Sequence, residues 1–232
     1  MKNTISPLSS LLIIGFFVFC LLNVKPQKNT INKNENPNSQ NERTVSNGGG
    51  YTPKKIQRSQ ETIDYFNEIV FNTEFDGKRE NAFKWNKNMK IYVEGEKIDY
   101  LMAELNDIVS ELNNIINTIE IEIVKNPKDA NMFIYLGSSD GFANYCPNLD
   151  RSLLTNNWGL FFVSSVNGHM YVDINRANEV EQKHLLREEL TQSLGLLNDS
   201  YKYPESIYYQ GWTTTTEYAP IDVELIEMLY NE

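Results

Sequence analysis

The chain has 232 residues and carries 31 Asp and Glu against 21 Lys and Arg, a formal net charge of −10. That surplus, with no Lys/Arg cluster against it, excludes general nucleic-acid binding, because phosphate recognition needs basic patches. Once a polar tail is subtracted, the length leaves room for one compact domain of about 150 to 180 residues.

The N-terminus places a short basic start before the apolar run LLIIGFFVFCLL, the n-region and h-region of a secretory signal. Residues 1–24 are therefore expected to be a signal peptide or an N-terminal membrane anchor. The run over 8–24 reaches the low end of the roughly 17 to 25 residues that span a bilayer. Anchoring is favoured over cleavage, since no A-x-A-like site follows. Cys20 raises the alternative of lipid attachment, although bulky Phe19 precedes it where bacterial lipoprotein signals carry a small residue. Residues 25–58 are rich in Asn, Gln, Lys and Ser and lack the apolar surface needed to fold, so they read as a disordered linker. The folded domain, 59–232, is thereby expected in the cell envelope, outside the cytoplasm. Its only cysteine, Cys146, lies in a Gly/Asn/Pro-rich loop, so a disulfide within the domain is excluded. That residue is left as a semi-buried thiol or one that pairs between chains.

Two hydrophobic periods alternate through the domain. Residues 59–70 place Ile63, Phe66, Ile69 and Val70 on one helical face behind Ser59, a good N-cap. MKIYVEG (89–95) predicts a strand. Apolar residues from Ile98 to Ile116 recur every three or four positions, as in a long amphipathic helix. IEIEIV (119–124) alternates as a half-buried strand should, and NMFIYLG (131–137) is a more apolar strand beyond the turn at Asn126 and Pro127. Residues 138–157 read as a polar loop. WGLFFVSS (158–165) and HMYVDI (169–174) flank an Asn-Gly turn and predict a hairpin. A helix over 177–194 stops at Gly195, and a final short helix covers 221–230. A strand-helix-strand unit followed by a hairpin predicts an α/β fold with a mixed sheet.

The segment REELTQSLGLLND (187–199) carries the candidate chemistry. It resembles the H-E-x-x-H-x-x-G-x-x-H/D helix of the metzincin branch of the zincin metallopeptidases, which share this element order. Laid on that motif, Glu188 takes the place of the first histidine, Glu189 that of the catalytic glutamate, Gln192 that of the second histidine, Gly195 that of the glycine and Asn198 that of the third ligand. The resemblance implies a zincin-like mixed sheet with a long backing helix and a central active-site-type helix. It equally implies a degenerate site, because zinc is gripped by imidazoles at i and i+4 and an amide is a poor substitute. No zinc or other cofactor is expected, and no Met-turn is found. Asp222, Ile226, Leu229 and Tyr230 resemble the closing helix of matrix-metalloproteinase-like domains. More closely, 171–209 resembles a bacterial family of unknown function whose members are described as lipoproteins, with the signature E-E-x-x-Q followed by G-L-x-N-D.

Glu188, Gln192, Asn198, Asp199 and His184 are the expected cleft residues, and Glu189 is the candidate catalytic group. Two nearby carboxylates can hold separated pKa values and divide proton transfer. The competing reading puts these side chains on a solvated helix face or in ion pairs with Arg187 and Lys183. His184, four residues before Glu188, shares its face, and Glu188, Glu189 and Asp199 form an oxygen set suited to a hard cation. His169 is read as a surface or hydrogen-bonded residue. Residues 213–216 could cover one side of the cleft, and Tyr201, Tyr203, Tyr208 and Tyr209 could wall it or pack beneath a loop. The functional expectation is a non-catalytic binding or scaffold protein that holds an extended peptide or protein along 158–165 and touches the membrane through its N-terminal segment. The alternative is a hydrolase that uses Glu189 as general base or acid.

Overall fold

The computed structural model describes residues 57–73, 77–78, 81–147 and 149–231. The expected signal or anchor, Cys20 and nearly all of the linker lie outside these. Ser59 begins the domain as the N-cap of α1 (Gln60–Phe71), its hydroxyl accepting from the Thr62 amide. A two-stranded antiparallel ribbon follows, β1 (Asn72–Thr73) and β2 (Gly77–Lys78).

A five-stranded mixed sheet forms the centre. β3 (Met89–Gly95) lies between β4 (Ile121–Ile123) and β5 (Met132–Gly137), parallel to both, and α2 (Asp99–Ile115) joins β3 to β4. β7 (Gly168–Asp173) runs parallel to β5, while β6 (Gly159–Val163) closes the row as an antiparallel edge paired with β7. The order is β4-β3-β5-β7-β6. Because strand side chains alternate, each strand serves two faces. Met89, Ile91, Ile134, Met170 and Val172 bury one face against Leu101, Leu105, Ile108 and Leu112 of α2 and Leu185, Leu186 and Leu190 of α5 (Glu179–Gln192).

The opposite face corrects the expected polar loop over 138–157. Two short helices, α3 (Ser139–Tyr145) and α4 (Leu153–Asn156), cover it. Phe142, Cys146, Leu149, Leu153 and Leu154 pack there on Tyr135, Leu160 and Tyr171. These apolar residues are sparse among Gly, Asn and Pro, which hides a helical period. Cys146 is buried in this layer rather than semi-buried in a loop.

α5 ends at a backbone that only glycine fits. Gly195 has φ +125°, and a Cβ on it would lie 2.1 Å from the Phe83 carbonyl oxygen. The free carbonyls of the last turn are taken by side chains, Trp85 Nε1 donating to Ser193 and the Tyr230 hydroxyl to Leu194. α6 (Pro220–Tyr230) supplies that tyrosine and closes the domain against α1 and α2.

Candidate functional site

α5 departs from an ordinary surface helix. Asn178 and Glu181 form a full capping box at its start, and from His184 to Gln192 every side chain is buried, whether apolar or polar. The reading of a solvated face is therefore overturned. Arg187 also does not pair with Glu188 or Glu189. It crosses to α2, bonding Glu104 at 2.9 Å and Glu111 at 2.5 Å, and its guanidinium stacks 4.7 Å from the Tyr218 ring centroid. Lys183 pairs with Glu179. The polar stripe is buried because the loop after α5 returns over it.

That loop brings four of the expected site residues together. His184, Glu188 and Asp199 line one side of a cavity of about 10 Å³, and Tyr209, Gly211 and Trp212 line the other. The volume is room for about one water. Gln192 joins the group by donating through Nε2 to Asp199 Oδ1 at 2.5 Å. Asn198 does not join it: its backbone and side-chain N–H groups reach the Ile69 and Glu68 carbonyls of α1, so it anchors the loop from outside. The residue beside it, Asp199, stands in the cleft instead.

His184 organises the electrostatics. Its Nδ1 donates to the Thr215 carbonyl at 2.7 Å, and its Nε2 lies 3.3 Å from Glu188 Oε2, an ion-pair contact rather than an aligned hydrogen bond. Burial is the largest influence on the imidazole and opposes its charge, but the Glu188 carboxylate and the Thr215 carbonyl outweigh it and raise the pKa above its ordinary value. The imidazolium thus offsets a buried carboxylate where a bare charge would be costly.

Glu189 is fully buried, and Gly159 at the start of β6 makes room for it: a Cβ there would sit 2.4 Å from Glu189 Oε1. The candidate general base therefore lies between helix and edge strand, behind the side chains that fill the cleft. The tyrosines divide. Tyr209 lines the cavity, Tyr201 is exposed, Tyr203 bonds Glu61 on α1, and Tyr208 is buried in the main core. His169 is no surface residue. It is buried with its ring stacked on Phe133, and burial lowers its pKa.

Two polar anchors escaped the sequence reading. Asp173 accepts from Tyr171, from the Arg176 side chain and from the Asn175 and Arg176 amides, while Arg176 also holds the Thr155 and Asn157 carbonyls before β6. Asp222, placed above only by likeness to a closing helix, accepts from Ser206 Oγ and from the Ile207 and Ala219 amides, and so pins the loop that forms the far wall. Burial pushes its carboxyl up to about 6 in spite of those bonds. Local polar residues in loops give no periodic signal from which such anchors could be read.

Among the described residues no group of three or more His, Cys, Asp or Glu side chains is placed to hold a metal ion. The fold and site define a mixed α/β protein in which a buried helix gathers acidic and amide side chains against the antiparallel edge of its sheet. The chain belongs to the family described as Protein of unknown function (DUF2927), whose model matches residues 59–232. No curated protein matches the chain. Two solved structures of myroilysin are similar to it at 10% identity. One has a TM-score of 0.40 and covers 64% of this chain and 82% of its own; the other has a TM-score of 0.43 and covers 77% and 99%.

Proposed function

We propose that this domain is a degenerate zincin-type peptidase that binds an extended peptide or protein segment without cleaving it. The observation that carries the reading is the filled cleft. Where the motif would present a metal and its water, His184 faces Glu188, Gln192 bonds Asp199, and the remaining space takes about one water. The strand order, the antiparallel edge and the E-E-x-x-Q-x-x-G helix beneath it support the kinship.

The binding element in this reading is β6. The Asp173 amide donates to the Trp158 carbonyl, so in this antiparallel ladder Trp158, Leu160 and Phe162 bond inward and Gly159, Phe161 and Val163 turn their main-chain groups outward. β6 is an end strand, and its sequence GLFFV carries no charge or proline of the kind that blocks edge pairing. An added strand would draw affinity from these groups and would not require zinc.

The experiment is a screen of unstructured peptides against the wild-type protein and two variants, with turnover and bound metal measured in parallel. Val163→Pro removes an outward N–H and is expected to abolish peptide binding, whereas Glu189→Gln is expected to leave binding unchanged. Stoichiometric bound zinc, or peptide turnover that Glu189→Gln removes, would instead establish the hydrolase. The domain is further proposed to sit in the cell envelope, tethered through residues 1–58; the apolar run over 8–24 supports this. Among the described residues no helix is long and apolar enough to cross a membrane, so any span falls to that run. Cell fractionation with and without residues 1–24 tests it.

A further inference from the structure

The segment 209–216 covers the cleft, and its attachments differ sharply along its length. Its ends are fixed. Tyr209 pairs in an isolated bridge with Ser200, and the Gln210 amide donates to the Ser200 carbonyl. Beyond the other end, Tyr218 is held by Thr191 at 2.7 Å and by the Arg187 guanidinium. Between these pins the chain forms no strand or helix. Its middle is latched at two points: the Thr215 carbonyl accepts from His184, and the Trp212 ring meets Trp158 edge to face at 5.6 Å. Trp212 remains 46% exposed, although its neighbours close the cavity over Glu188 and Asp199. A large aromatic that lies half in water over a buried acidic site is held by little apolar burial, the mark of a segment that opens locally.

We propose that residues 209–216 form an autoinhibitory strap, closed in the resting protein and opening between its two pins to uncover Glu188, Asp199 and the Trp158 end of β6. The strap occupies the cleft as a ligand would, giving a main-chain carbonyl to His184 and an aromatic ring to Trp158. A segment that displaces it is expected to offer the same two groups. This inference rests on the binding reading above for the meaning of the opening, but the opening itself is tested separately.

The test is hydrogen exchange of the intact protein, resolved by segment and followed at several low denaturant concentrations. Amides of 211–217 are expected to exchange by a local opening that is insensitive to denaturant, and faster than those of α5, while the Gln210 amide stays protected by Ser200. Trp212→Ala, at a half-exposed position, removes an aromatic pair of about 0.5 to 1.5 kcal/mol. It should therefore speed exchange in the strap about two- to twelvefold and leave α5 and β7 unchanged. Strap amides that share the denaturant dependence of α5 would overturn the proposal, as would equal acceleration of both by the substitution. A strap that opens in a protein that binds no peptide defeats only the docking reading; peptide binding beside a strap that never opens defeats only this one.

Discussion

α2 and α5 lie side by side under the same sheet, yet different forces place them. α2 buries Leu101, Leu105, Ile108 and Leu112 along one stripe and starts without a side-chain cap. α5 is buried around its whole circumference from His184 onward and starts with a capping box. Apolar burial is the main force that seats the first helix. The second buries Leu185, Leu186 and Leu190 as well, and adds buried charges held by partners, Arg187 by Glu104 and Glu111 and Glu188 by His184. A helix can thus be buried on its polar sides as well as its apolar one, provided that neighbouring elements supply counter-charges.

Four measurements test this balance of apolar burial and charge. The largest effect pairs one substitution in each helix: Leu105→Ala should cost about 2 to 5 kcal/mol through a cavity, and Arg187→Ala about 3 kcal/mol through carboxylates left unpaired. Urea midpoints of both decide it, with Arg187→Lys recovering only part because lysine lacks the guanidinium fork. A negligible loss in Arg187→Ala would mean that apolar packing holds α5 as it holds α2.

Next comes pH. The Asp222 carboxyl is raised in the fold from 3.8 to about 6, so its neutral form adds stability that is whole below about pH 4 and lost as pH rises through about 6, up to roughly 3 kcal/mol. Melting temperatures from about pH 4 to 7 should show this slope in the wild type and lack it in Asp222→Asn. His184 has the same sign at higher pH: its charged form stabilises fully below 6.5, and the gain fades as pH climbs through its raised value. A further substitution, Gly159→Ala, forces a methyl against Glu189 Oε1 and should cost about 1 to 3 kcal/mol by overpacking; thermal denaturation reads it. The smallest effect is Asn178→Ala, which removes the cap that α2 manages without and should cost about 1 kcal/mol of unfolding free energy.

The legible part of the molecule follows from the same contrast. Ser59, the strand 89–95, the long helix and the hairpin could all be read because apolar residues recurred at 3.6 or 2 residues, or because a cap or turn residue stood at the boundary. α3 and α4 could not, since their apolar residues are interrupted by Gly, Asn and Pro. At the site, the motif-like spacing brought Glu188 and Gln192 into view, the G-L-x-N-D signature Asp199, and the shared helical face His184. It misassigned Asn198, because a spacing says which residues are near the turn at Gly195 and not which of two neighbours points inward. The burial of α5 was hidden because its covering comes from residues 199–218, far along the chain and without a period of their own.

Cys146 is only 4% exposed, sealed among Phe142, Leu153 and Tyr171 on the far side of the sheet. In a folded copy this thiol is therefore closed to oxidants and to its neighbours, while unfolding opens it at once. The residue is a natural reporter: the speed at which a thiol reagent labels Cys146, read apart from Cys20 by peptide mapping, measures how often that layer lifts away, with no engineered probe.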